Sequence, residues 1–132
     1  MIGQTKDVGF NIGVSKTLPF PAEVVWAAVM SPEGIALWLG EGATLTKGTR
    51  YETTDGTVGE VRSLHELDRV RLTWHPRDWD HESTIQVAIS RQGDKTMLRF
   101  HQERLAGPEE RARQRDHWRE VMDSIVDLLT AE

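Results

Sequence analysis

The chain has 132 residues, 38 % hydrophobic and 28 % charged, which suits one globular domain with a real core and excludes a disordered, collagen-like or coiled-coil chain. With 16 Lys and Arg against 21 Asp and Glu the net charge is −5, and cysteine is absent; nucleic acid and anionic membranes are excluded as partners for want of a positive field, and disulfides, thiol nucleophiles, thiolate metal sites and iron–sulfur clusters for want of sulfur. There is no apolar run of about 18 residues and no apolar signal core at the start of the chain, so no membrane contact is expected and the expected compartment is the cytoplasm.

Residues 1–9 show no periodic pattern and are expected to form a flexible tail, with the domain over residues 10–132. Phe10, Ile12 and Val14 alternate with Asn11, Gly13 and Ser15, which predicts a strand. Pro21 suits the first turn of a helix, and Val25, Trp26 and Val29 give residues 22–30 helical spacing. Ser31-Pro32-Glu33 predicts a second short helix: an N-cap, a first helical residue and an acid at the positive end of the dipole. Ile35, Trp38 and Leu39 form its apolar stripe, and Gly40 is placed to end it.

Period two then takes over. Residues 43–45 and 49–53 read as short strands, Asp55-Gly56 as a hairpin turn and residues 57–67 as a longer strand. Val70, Leu72 and Trp74 alternate with polar residues, as do Ile85, Val87 and Ile89, with a polar loop at residues 76–81 between them. After the turn at Gly93-Asp94, Thr96, Leu98 and Phe100 alternate in a last strand. Gly107-Pro108-Glu109-Glu110 opens a long helix whose stripe is Trp118, Val121, Met122, Ile125, Leu128 and Leu129. The expected fold is α+β: a curved antiparallel sheet of about six to seven strands wrapped around the long C-terminal helix, with two short helices after the first strand. The reason is that one apolar sheet face needs a cover, and the last helix is the only element long enough.

Several strings resemble a known family in order and spacing: Phe20-Pro21-Ala22-Glu23-Val24-Val25-Trp26, Ser31-Pro32-Glu33 with Trp38, Gly56-Thr57-Val58-Gly59-Glu60-Val61, Leu72-Thr73-Trp74, Thr96-Met97-Leu98-Arg99-Phe100-His101 and Trp118-Arg119-Glu120-Val121. The chain is similar to the bacterial single-domain relatives of the activator of the heat-shock-protein-90 ATPase. These belong to the START-like helix-grip superfamily of polyketide cyclases and the birch-pollen allergen. The resemblance implies a helix-grip fold with an apolar cavity between the sheet and the long helix. Members of that superfamily bind lipids and hormones, act as aromatases and cyclases, confer self-resistance or serve as co-chaperone domains. Asp116-His117 stands where relatives usually carry a Gly, which adds bulk beside the helix.

Indoles dominate the aromatic residues, with 5 Trp against 3 Phe and 1 Tyr. Trp38, Trp74 and Trp118 fall on core faces of three elements, as pocket walls that stack a flat ligand or as core filler. With Val87, Leu98, Phe100 and Met122 they are the candidate lining for a small hydrophobic ligand. Gln102 shares the Leu98–Phe100 face; a polar residue there either orients the ligand or meets water at the strand end. Glu60 and Arg62 share one face of the strand at residues 57–67, whose inward side the apolar content does not decide. Pointing inward they would be a polar pair for acid–base work of the cyclase or hydratase kind; pointing outward, a surface ion pair. His75, Asp78, Asp80, His81 and Glu82 cluster in a loop, but the spacing matches no metal motif, and no metal or cofactor is expected. The first reading is therefore a binding protein, with a cavity enzyme or a co-chaperone-like interaction module, touching a chaperone or a second copy, as alternatives.

Overall fold

Alternating residues build one seven-stranded antiparallel sheet. The structure, a computed structural model, describes residues 4, 5 and 9–131, with side chains from residue 10. Its strands are β1 (Gln4–Thr5), β2 (Gly9–Leu18), β3 (Arg50–Glu52), β4 (Val58–His65), β5 (Arg69–Trp74), β6 (Ser83–Gln92) and β7 (Lys95–Leu105), in the order β1-β2-β7-β6-β5-β4-β3. Helices α1 (Ala22–Val29) and α2 (Pro32–Trp38) join β2 to β3, and α3 (Pro108–Thr130) follows β7. Of the tail expected over residues 1–9, residues 1–3 and 6–8 lie outside the described residues, whereas Gln4–Thr5 pairs with β2. The two short helices thus follow the second strand.

Helix α3, about 35 Å long, packs on β2, β7, α1 and α2. Val70 and Leu72 of β5, Ile85 and Val87 of β6, and Leu98 and Phe100 of β7 are buried, as are Trp118, Val121, Met122, Ile125 and Leu129 of α3. Among the described residues no helix is long and apolar enough to cross a membrane.

The junction of α1 and α2 follows from its residues. Ser31 caps α2: its Oγ accepts the Gly34 N–H at 3.0 Å and donates to the Ala28 carbonyl at 2.7 Å, satisfying free groups at both helix ends. The Trp38 indole N–H donates to the Val29 carbonyl at 2.9 Å. Gly34 permits the close crossing, since a Cβ there would lie 1.9 Å from the Ala28 oxygen.

Two strand expectations need correction. Residues 43–45 form no strand but part of an irregular link between α2 and β3. Gly40, Gly42 and Gly48 all take positive φ around them, which breaks extended pairing. In β4 the register slips between Val61 and Ser63. Arg62 is the extra residue of a β-bulge, and such a bulge resets the alternation of faces. Val61 is fully buried, while Leu64, three residues on, packs against the core. A strict period of two could not assign both.

Gly34→Ala is expected to lower stability by about 1–3 kcal/mol through overpacking, and Ser31→Ala by about 1 kcal/mol through loss of the cap. Urea unfolding midpoints measure both.

Candidate functional site

The inner face of the sheet is apolar until its end near the β5–β6 loop at residues 75–82. There the carboxamide of Gln102, 0 % exposed, gathers a polar network. Its Oε1 accepts the Trp118 indole N–H at 2.9 Å and the Gln114 Nε2–H at 2.9 Å. Its Nε2 donates to Ser83 Oγ at 2.7 Å, and Ser83 Oγ donates to the Trp74 carbonyl at 3.3 Å. Trp118 also stacks on Phe100, with centroids 4.9 Å apart and planes at 18°. These contacts join α3 directly to β7 and, through Gln102, to β6.

Trp74 pairs with Ser83 across β5 and β6, and its indole Nε1 is buried with no hydrogen-bond partner among the described residues. The ring of Trp79 meets it edge-on at 4.9 Å and stacks on His81 at 4.9 Å. An indole face offers a donor only a weak acceptor. His75 Nε2 lies 2.7 Å from the Trp79 carbonyl. His81 places Nδ1 2.9 Å from Asp80 Oδ1 and Nε2 2.9 Å from Glu110 Oε1. Asp80 chiefly, with Glu110 adding to it, raises the His81 pKa, against an opposing effect of burial. Outside this cover lies a polar cavity of about 540 Å3 lined by Asp78, Trp79, Asp80, His81, Glu110 and Arg113.

The predicted lining residues do come together, but as packed core. Trp38, Val87, Leu98, Phe100, Trp118 and Met122 are all buried, and the indole N–H of Trp38 is engaged within the α1–α2 junction. None of them lines the polar cavity, the groove of about 460 Å3 between α1 and the end of α3, or the crevice of about 370 Å3 beside α2. Trp118, stacked on Phe100, lies where the hollow between sheet and helix was expected. Gln102 is not at a frayed end in water. Its strand continues to Leu105, and all its neighbours are protein. Glu60 and Arg62 form an ion pair at 3.2 Å with side chains 37 % and 58 % exposed, outside the interior. The Arg111 side chain is half-buried and donates to the Asn11 carbonyl at 2.7 Å. His117 is half-buried beside Trp118, and burial lowers its pKa.

The sequence reading missed Ser83, Gln114 and the His81–Glu110 pair. Gln114 had a usable signal, since it stands four residues before Trp118 on the apolar stripe, where a polar residue needs a partner.

A family sequence model described as Activator of Hsp90 ATPase homolog 1-like protein matches residues 19–130. The chain belongs to this family. The fold is similar to that of CalU16 from Micromonospora echinospora, at 18 % identity and TM-score 0.79 over 92 % of this chain and 76 % of that one. It is also similar to PFC0360w, an HSP90 activator from Plasmodium falciparum (20 % identity, TM-score 0.75, 92 % and 97 % covered). A third likeness is to the Aha1 dimer from Colwellia psychrerythraea (16 % identity, TM-score 0.73, 90 % and 95 % covered). No curated protein matches the chain. At these identities the neighbours share the fold with this family member, namely an α+β helix-grip with a long C-terminal helix.

Gln102→Leu leaves the Trp118 and Gln114 donors buried without an acceptor. The expected loss is about 1–3 kcal/mol per orphaned group, read from urea unfolding and from the near-ultraviolet dichroism of Trp118.

Proposed function

We propose that this chain binds a small hydrophobic molecule between the sheet and α3, admitted beneath the β5–β6 loop. The observation that carries the reading is the placement of polar groups in an otherwise apolar interior. Ser83, Gln102 and Gln114 are joined by hydrogen bonds at one end, where Ser83 bonds the carbonyl of Trp74, whose indole N–H is buried without a partner among the described residues and whose ring meets Trp79. A core selected for stability alone gains little from such a set, because apolar side chains of equal shape would serve as well. A ligand gains orientation from it, while the faces of Trp74, Phe100 and Trp118 supply apolar area at about 25 cal/mol per Å2. In the closed state Trp118 lies in that space and Trp79 covers it, so binding requires the loop to lift and indoles to turn. An acid–base enzyme of the cyclase or hydratase kind finds less support, because Glu60 and Arg62 pair at the surface.

The test is a titration of tryptophan emission with flat aromatic and aliphatic hydrophobic probes, paired with thermal melts. A probe at about one hundred times its Kd adds about 2.7 kcal/mol, which raises Tm by several degrees. A broad panel that moves neither emission nor Tm overturns the proposal.

A second reading, contact with a chaperone or a second copy, draws on the groove between α1 and α3, floored by Val24, Ala27, Ala28 and Leu128. Val24 is 43 % exposed there, and apolar surface of this kind marks contact sites. The Plasmodium relative is an HSP90 activator and the Colwellia relative a dimer. If the groove is such a contact, Val24→Glu abolishes the concentration-dependent rise in mass seen by light scattering, or the capture of a purified heat-shock-protein-90 chaperone. Retention of both by the variant removes the groove from consideration.

A further inference from the structure

We infer that His81 is a protonation-dependent latch, which holds the β5–β6 loop shut over the mouth when charged and frees it when neutral. What the opening admits rests on the binding reading above, whereas the latch itself rests on the geometry of one ring. Its two nitrogens face different carboxylates, Asp80 on the loop and Glu110 on α3, each at 2.9 Å. An imidazolium carries two N–H groups and satisfies both; a neutral imidazole carries one. Deprotonation therefore sets a lone pair against one of the two carboxylates.

The two arms differ in weight. Asp80 is fully exposed, whereas the Glu110 side chain is 11 % exposed, so solvent screens the Glu110 arm less. Glu110 is also fixed in place, because the same Oε1 accepts the Ala106 N–H at 2.9 Å, in the manner of an acid in the first turn that closes a helix start. The other charged groups around the ring are Asp78 on the loop and Arg113 on α3, which line the same cavity, with His75 behind Trp79. Of these groups the two carboxylates in contact with the ring, Asp80 and Glu110, favour its charged form.

The ring is coupled to the cover through Trp79, which stacks on it and abuts Trp74. It is coupled to the interior through α3, where Glu110, Gln114 and Trp118 follow one another at intervals of four along one face. The sign is fixed by the raised pKa of His81, for which hydrogen bonding to Asp80 is the largest cause and Glu110 adds to it. The latch is fully engaged below the ordinary histidine value, about 6.5. It is lost as pH rises through the raised value in the folded protein.

Hydrogen exchange of the full chain tests this without any ligand, followed by mass spectrometry from pH 5.5 to 8.5 and corrected for intrinsic rates. Backbone amides of residues 77–82 are expected to lose protection roughly tenfold as pH rises, the worth of one charge-assisted hydrogen bond. In His81→Gln, and in Glu110→Gln as a second variant, protection is expected to be independent of pH. A wild-type loop with constant protection, or a His81→Gln profile that follows the wild type, overturns the latch. Uptake of 1-aminoanthracene, a neutral flat fluorophore, is followed in parallel. Loop opening that tracks pH without uptake at any pH supports the latch and overturns the binding reading instead.

Discussion

The satisfaction of one buried carboxamide sets the relation of helix to sheet. Gln102 lies on β7 with no access to water, so each of its strong polar groups needs a protein partner. Two donors, the Trp118 and Gln114 side chains, stand four residues apart on α3, which is one helical turn. Sliding α3 by one residue along the sheet would break both bonds at once. Apolar packing alone is tolerant of such slips, because it is not directional. The amide therefore fixes the register of the long helix, and with it the position of every residue that α3 presents to the β5–β6 loop.

That register aligns three consecutive turns with three different environments. Glu110 reaches the loop, Gln114 the amide network and Trp118 the centre of the core. The spacing of four keeps all three on one side of the helix. A disturbance at Glu110 thus lies on the same rigid element as the Trp118–Phe100 stack. Backbone pairing holds the loop at its start, where His75 exchanges two hydrogen bonds with Val58. Beyond that bridge its fastening consists of side-chain contacts, Trp79 on Trp74 and His81 on Glu110, with the His75 ring bracing the Trp79 carbonyl from within. Segments held by few, partly exposed contacts open at low free energy, and this one covers the polar end of the interior.

Much of the architecture was legible in the sequence because local and long-range signals agreed. Ser31-Pro32-Glu33 capped a helix where its chemistry required one, and the stripe from Trp118 to Leu129 marked the buried side of α3. The family resemblance is matched by the family model over residues 19–130. What was not legible depended on partners distant in sequence. Alternation could not orient β4, since the bulge at Arg62 puts Val61 and Leu64 on the same side. Residues 43–45 have strand composition but lie among glycines at positive φ. Gln102 read equally well as a strand-end residue, because its acceptors and donors come from residues 83, 114 and 118. Nor does composition reveal that three large aromatic and amide side chains meet in the space where a hollow was expected.

The Trp118–Phe100 stack constrains what binding would look like. If the competent state has the loop lifted and Trp118 turned away from Phe100, it forfeits a stacked pair worth about 0.5–1.5 kcal/mol beyond its buried area. It also leaves Gln102 short of a donor unless the ligand supplies one. The open state is then a minor population, and the apparent affinity falls in proportion to its fraction. A ligand that brings both a flat apolar body and a donor for the Gln102 oxygen replaces what Trp118 provided. A purely aliphatic ligand restores the area but not the hydrogen bond, so the amide that holds α3 in register would also discriminate among occupants. The two roles are compatible for a physical reason: a buried acceptor is indifferent to whether its donor belongs to the chain or to a guest, provided that one is present.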